Sequence, residues 1–391
     1  MISVDEALAQ VFALCTPLPS EPVPLAQAAA RVLRAPALAG RDQPPFAAAA
    51  MDGYALCGPA DAGATLRVIG EAGAGHGFDG AVGAGAVLRI FTGAPLPPGA
   101  DRIVIQEDVT RHGDSITLNE PAQEAQRHIR PAGADFRAGD RLSAPRRLRP
   151  VDLALLAAMN VAEVSVSRRP VVALIATGDE LVMPGEAPGP DQIVASNAFA
   201  LKAMVEAEGA EARLLPIARD TADHLRTVLQ MAQGADVIVT IGGASVGDHD
   251  LVAPVTAELG ATRSFYKIAM RPGKPLMAGQ LFDALMLGLP GNPVSAIVTA
   301  RLFLIPALRA MLGLGALPPA TLGARLACDV PANGPRTHYM RATLEPEGLI
   351  RPFGSQDSSL LGILVRADAL LIRPKGDPAR PAGTPVRYLP L

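Results

Sequence analysis

At 391 residues the chain exceeds what one hydrophobic core usually supports, so roughly two to four domains are expected. Its 49% hydrophobic and 19% charged residues mark it as globular, and a formal net charge of −3 argues against a general nucleic-acid surface. Cys15, Cys57 and Cys328 are too few and too scattered for a disulfide framework or a zinc site, and read as reduced thiols. No stretch is both long and apolar enough to cross a bilayer. The best candidate, Ala284 to Leu308, is interrupted by Gly288, Pro290, Gly291, Asn292 and Pro293. The start of the chain has no basic segment ahead of an apolar one, so a cytoplasmic location without membrane attachment is expected.

In chain order, Ser3 and Glu6 form a capping-box pattern ahead of an apolar-periodic run to about Leu14, which predicts an opening helix. A proline-rich connection follows, then a second helical segment over about Leu25 to Arg34 and a strand-like Pro36 to Ala39. From Arg41 to Arg137 glycine is dense, apolar runs are short and helical periodicity is missing, the signature of a compact, barrel-like β domain. Within it Asp52 stands beside Gly53, and Thr92 lies in a Gly/Pro turn; either is ordinary turn chemistry when taken alone. A helix over Val151 to Met159 and a strand over Val161 to Val166 come next, so residues 41–137 read as an insertion. The pieces 1–40 and 138–168 then form one small, discontinuous helical and extended linker domain.

Strands and helices alternate from residue 169 to about 315. Val171 to Ala176, Leu214 to Ile217, Val237 to Ile241 and Leu285 to Leu289 read as strands. Asn197 to Glu208, Thr221 to Ala232, Val252 to Leu259 and a run from Pro293 read as helices. That order predicts a doubly wound, mainly parallel sheet. Residues 316–391 hold short strands and predict a small β-sandwich or barrel. The fold class is thus α/β multidomain, with an inserted β-barrel-like domain, the linker domain and a C-terminal β domain.

Ligands of such sheets bind beyond the strand C-termini. Four loops there carry polar groups: Thr177 to Glu180, Arg219-Asp220, Gly242-Gly243 with Ser245, Asp248 and Asp250, and Pro290 to Ser295. Pro293 suits the first position of a helix whose free N–H groups would face an anion, and Arg271 to Pro275 adds cations in a rigid frame. Carboxylates facing a phosphate repel it unless a divalent cation lies between them. A Mg²⁺-dependent site for a phosphorylated or nucleotide-bearing ligand is therefore expected.

These phrases also occur together elsewhere. Met51-Asp52-Gly53-Tyr54-Ala55, Thr92-Gly93-Ala94-Pro95, Thr177-Gly178-Asp179-Glu180-Leu181, Ser245-Val246-Gly247 with Asp250, Pro272-Gly273-Lys274-Pro275 and Pro290-Gly291-Asn292-Pro293 run in one order over nearly the whole chain. In this the chain resembles the molybdopterin molybdenumtransferase (MoeA) family, related to the gephyrin E domain. The resemblance implies a cytosolic homodimer that inserts molybdate into adenylylated molybdopterin with Mg²⁺ and releases AMP. It implies Asp52, Thr92, Glu180, Asp220 and Asp250 as catalytic positions, with Mg²⁺ held among Glu180, Asp220 and Asp250. It assigns Gly242, Gly243, Ser245, Pro290, Asn292, Pro293 and Ser295 to substrate binding, and Lys274, Arg341 and Ser358 to molybdate. Asp248 falls outside the motif. Arg130 and Asp135 match a shorter motif that is degraded here, with Pro131, Ala132 and Ala134 where the family is more basic and has a Glu.

Asp52 and Thr92 would reach the site from a second subunit. A molybdopterin adenylyltransferase and molybdenum-enzyme assembly factors are further expected partners, and nucleic acid is not. Two alternatives stay open: a non-catalytic, gephyrin-like pterin- or partner-binding scaffold, and the adenylyltransferase of the preceding step.

Overall fold

The computed structural model describes residues 1–122, 127–243 and 251–391. Ser245, Asp248 and Asp250, named above, lie outside the described residues. The chain divides into two compact units, one of Met1–Glu21, Ala30–Arg34 and Ser167–Leu391, the other of Pro22–Ala29 and Ala35–Val166.

In the larger unit, six strands pair in the order Glu211–Leu214, Val171–Ala176, Val237–Ile241, Ala284–Leu289, Met277–Leu281 and Thr262–Tyr266. The first four are parallel. The last two join antiparallel, and neither is marked by a clean period in the sequence. Val171–Ala176, Val237–Ile241 and Ala284–Leu289 are buried at every position, as the centre of a doubly covered parallel sheet requires. Alternation divides their side chains between two cores. Leu174, Val239 and Leu287 face the helices Asn197–Ala207 and Pro293–Thr299, while Ala173, Ile238 and Met286 face Ala222–Met231 and Val252–Glu258. The sheet is doubly wound, and its winding reverses between Val171–Ala176 and Val237–Ile241.

The opening helix, Val4–Ala13, has the expected capping box: Ser3 accepts from the Glu6 amide, and Glu6 accepts from the Ser3 amide at 2.7 Å. Its apolar stripe, Val4, Ala7, Leu8 and Val11, belongs to the first of the two cores. The helical segment expected over Leu25 to Arg34 is instead a short 3-10 turn, Leu25–Gln27, followed by the strand Val32–Leu33. Its ten residues are too few to hold an isolated helix.

After the Gly/Pro interruption the chain runs as one helical stretch, Pro293–Met311. Among the described residues it is the one helix long and apolar enough to cross a membrane, which the sequence reading did not expect. Its most apolar window is 83% buried inside the protein, so it is a core helix. The middle, Ala300–Leu304, is a π turn just ahead of Pro306, whose missing N–H and bulky ring disfavour a regular turn there.

The C-terminal strands close on themselves in the order Thr337–Glu345, Leu349–Pro352, Leu322–Leu326, Pro385–Pro390 and Ala369–Arg373, the last pairing back to the first. Five strands therefore form a closed barrel, which leaves none of them with an open edge. Tyr339, Leu370 and Leu389 of the barrel share the first core, so barrel and sheet are one packed body. The short strand Met270–Arg271 pairs parallel with Thr337–Glu345, Arg271 opposite His338.

In the smaller unit six strands pair in the order Arg102–Ile105, Gly53–Leu56, Ala86–Ile90, Thr65–Ala72, Ser115–Leu118 and Val109–His112. Apolar clusters cover both faces, Ala55, Leu88 and Ile103 on one and Tyr54, Val87 and Val104 on the other. The helix Pro150–Ala158 begins at a buried carboxylate held by two solvent-accessible arginines: Asp152, 3% exposed, meets Arg146 at 2.9 Å and Arg149 at 3.1 Å. The Arg149 guanidinium, its amide and Arg146 hold the Asp152 carboxyl down at about 2, against the desolvation that opposes them. A depressed folded pKa stabilises above the unfolded value and is lost as pH falls through the folded one. Asp152→Asn should therefore cost about 2 kcal/mol at pH 7. Thermal unfolding followed by circular dichroism from pH 7 to pH 3 should show the gap to wild type narrowing below about pH 4.

Candidate functional site

The reversal in winding leaves a cleft of roughly 650 Å³ beyond the ends of Val171–Ala176, Val237–Ile241 and Ala284–Leu289. It is lined by Thr177, Gly178, Glu180, Asp220, Gly242, Gly243, Pro290, Gly291, Asn292 and Pro293. All the expected loops therefore converge at one sheet edge. Only part of the Gly242-Gly243 loop lies within the described residues.

Two glycines there adopt positive φ, and Gly242 is needed for space as well. A Cβ on Gly242, at φ +97°, would sit 2.9 Å from the Thr177 carbonyl oxygen; one on Gly178 would sit 2.1 Å from a Glu180 carboxylate oxygen. The Glu180 carboxylate thus folds over its own loop, and no hydrogen-bond partner for it occurs among the described residues. Asp220 is clamped differently. The Asp179 amide donates to Asp220 at 3.3 Å, and the Asp220 amide returns a bond to Asp179 at 3.1 Å. Arg219 bridges the same two loops by donating to the carbonyls of Gly178, Asp179 and Leu181. Asp179 and Arg219 are positioning residues whose roles the sequence did not reveal, because their partners are about 40 positions away. Asn197, also unremarked, donates to the Gly291 carbonyl at 2.6 Å and holds the Pro290–Asn292 loop over the cleft.

A second hollow, of roughly 460 Å³, adjoins the first; Pro275, Pro290 and Asn292 line both. Arg271, Lys274, Ser295, Arg336, Gln356, Asp357 and Ser358 are its polar lining beside Asn292. Asn292 donates to the Ser358 hydroxyl at 3.0 Å, tying the Pro-Gly-Asn-Pro loop to the barrel. Pro293 is the first helical residue, as expected, but few free amides remain at that helix start. Pro293 has none, and the Val294 amide donates to the Ser358 carbonyl at 3.1 Å.

Lys274, Ser295 and Ser358 line this hollow. Arg341 does not: it is 1% exposed and does not line the wall. Its guanidinium donates to the carbonyls of Leu360 and Ser355 and to the Gln356 side chain, so it braces the loop that carries Ser358. Arg336, which the sequence reading passed over, is half-buried and lines the hollow instead. The field is strongly cationic. Burial first, then the charges of Arg271, Arg336, Arg341 and Arg373, push the His338 imidazole down to about 4 and leave it neutral.

The smaller unit holds the remaining candidates. Asp52 accepts from both the amide and the hydroxyl of Thr92, each at 2.7 Å, so the two expected residues form one hydrogen-bonded pair. Those bonds, with the nearby Arg89 charge, hold the Asp52 carboxyl below its ordinary value. Arg89 is itself stacked 4.6 Å over the Phe91 ring. Arg130 and Asp135 line a separate hollow of roughly 550 Å³ in the same unit, with Phe46 and Gly93. Among the described residues no group of three His, Cys, Asp or Glu side chains is gathered as a preformed metal site.

Comparison with known proteins extends over the full chain. Residues 2–160 match the model of the MoeA N-terminal region (domains I and II), residues 173–310 that of a probable molybdopterin binding domain, and residues 323–391 that of the MoeA C-terminal region (domain IV). A molybdopterin molybdenumtransferase from a Nostoc species is 34% identical over 411 aligned positions, covering 100% of this chain and 94% of the relative. One from Haemophilus influenzae is 37% identical over 304, covering 76% of this chain and 75% of its own. The crystal structure of a molybdopterin biosynthesis MoeA protein from Pyrococcus horikoshii superposes with a TM-score of 0.83 at 30% identity, covering 100% of this chain and 99% of that one. With its sheet-edge cleft, its cationic hollow and its barrel all falling within those matches, the chain belongs to the MoeA family of molybdopterin molybdenumtransferases, and is a transferase of molybdenum cofactor biosynthesis.

Proposed function

We propose that the cleft binds adenylylated molybdopterin, that the adjoining hollow holds molybdate, and that molybdenum insertion is coupled to cleavage of the phosphoanhydride with release of AMP. The carrying observation is adjacency: an acid-lined cleft and a cation-lined hollow share one wall, Pro275, Pro290 and Asn292. A phosphate-bearing substrate beside Glu180 and Asp220 needs its charge offset, whereas an oxyanion beside Arg271, Lys274 and Arg336 does not.

The residues fit a Mg²⁺ ion. It takes one or two carboxylates plus phosphate oxygens and water, so Glu180, whose carboxylate is unclaimed, and Asp220 would suffice without a dense preformed cage. Bound there, the ion would neutralise charge on the phosphoryl oxygens as the anhydride breaks. The chain's own part is positional. The reciprocal Asp179–Asp220 bonds fix one carboxylate, Gly178 leaves room for the other, and Asn197 holds the Gly291 loop.

Asp52 and Thr92 form a preset acid–hydroxyl pair. Their source in the working site would be a second copy of the chain in a homodimer, and sedimentation of the wild-type protein should show that dimer.

Incubation with adenylylated molybdopterin, molybdate and Mg²⁺ should release AMP, and a chelator should stop it. If folded protein releases none, the proposal falls. ATP consumption with free molybdopterin would point to the adenylyltransferase reading instead.

A further inference from the structure

We propose that Arg336 is a specificity-determining residue of the cationic hollow, giving it preference for a dianionic tetrahedral oxyanion over a monoanion of the same shape. This deepens the molybdate reading and rests on it.

Three side-chain cations line the hollow, Arg271, Lys274 and Arg336, and Arg341 is buried behind the loop that carries Ser358. Asp357 is the one acid of its lining, and its carboxylate is engaged by the amide and hydroxyl of Ser359, at 2.9 and 2.8 Å. No acidic side chain pairs with Arg271, Lys274 or Arg336 among the described residues. Such an excess of positive charge is costly in the empty protein and suits a ligand of charge −2 better than one of −1.

Among the described residues Arg336 is also the one of the three whose charged group reaches a protein oxygen. Asn333 donates to its carbonyl at 2.9 Å, the next amide, that of Thr337, donates to Ala269 at 3.0 Å, and its guanidinium reaches the Met270 carbonyl at 3.5 Å. That contact engages one of five guanidinium donors and leaves the others for an oxyanion. Arg336 immediately precedes the barrel strand Thr337–Glu345, whereas Arg271 ends the short strand Met270–Arg271 and Lys274 lies in the loop after it, so cations enter from two parts of the fold. Arg341 spends its donors on Leu360, Ser355 and Gln356 and acts by stiffening.

The energy between a fixed cation and a ligand scales with ligand charge. Removing Arg336 should therefore weaken a dianion by about tenfold or more and a monoanion by only about threefold. The probes are tungstate, a dianion, and perrhenate, a monoanion of the same shape, titrated calorimetrically against the full chain. Wild type should prefer tungstate, Arg336→Gln should lose most of that preference, and Arg336→Lys should retain it. An unchanged tungstate-to-perrhenate ratio in Arg336→Gln, with an unaltered melting temperature, would overturn the role of Arg336. Should the glutamine variant not fold, equal binding of the two ions by wild type, or loss of preference in the charge-conserving lysine variant, would overturn it. If Lys274→Gln binds tungstate as wild type does, the hollow is not the molybdate site and the underlying reading fails separately.

Discussion

Replacing Asp220 with asparagine is expected to lower AMP release by about 10²- to 10³-fold while the protein melts within a degree or two of wild type. The substitution keeps shape and keeps an oxygen to accept the Asp179 amide, 3.3 Å away, so the two loops stay joined. The Asp220 amide still donates to Asp179, and Arg219 still bridges the loops. What disappears is the negative charge that would face a divalent cation and the phosphoryl oxygens. Raising Mg²⁺ should recover part of the rate if the loss is one of metal affinity. Near-normal turnover at ordinary Mg²⁺ would remove Asp220 from the metal set and leave Glu180 as its described member.

Gly53→Ala should be strongly destabilising to the smaller unit, costing about 3 kcal/mol or more. A Cβ there would lie 2.0 Å from the Val104 carbonyl oxygen and 3.0 Å from the Ile105 Cα, both backbone atoms. The strand Gly53–Leu56 is paired on both sides, Gly53 opposite Ile90 and Ile105, so it cannot retreat without breaking a ladder. The same alanine at Gly73 meets nothing within 4 Å and serves as the control. Thermal unfolding of the two variants should separate clearly; equal midpoints would show that the strand pair yields more readily than its geometry indicates. Activity should fall with Gly53→Ala as well, because Asp52, bonded to Thr92, is the adjacent residue.

Gly53 also shows where local reading goes astray. An Asp-Gly pair ahead of a strand reads as ordinary turn chemistry, yet here the glycine is itself the first, buried residue of that strand and is demanded by a carbonyl about 50 positions away. The failed helix over Leu25 to Arg34 has the same origin: its apolar residues suit a helix, but the chain uses Val32–Leu33 as a strand. Both are tertiary choices overriding weak local preferences. Strong local preferences survived. The capping box at Ser3, Pro293 as a first helical residue and the continuous apolar strands stand where the sequence places them.

The sequence by itself determined the doubly wound sheet and the cleft. Continuous apolar runs of five or six residues can only be satisfied with both faces covered, and the polar residues that end those runs then share one edge. Glu180, Asp220, Gly242 and the Pro290–Asn292 loop follow from that rule alone. Only the tertiary structure decided which side chains face the ligand spaces. Arg341 and Arg336 stand five residues apart near one strand, and nothing local tells that the first is buried behind a loop and the second lines the hollow. The choice depends on the Ser355–Ser358 loop folding back over Arg341 and on the strand Met270–Arg271 pairing beside Thr337–Glu345. Likewise Asp52 and Thr92 become one pair only because their strands are neighbours in a sheet. Direction and partnership of polar side chains are long-range properties, and periodicity carries no record of them.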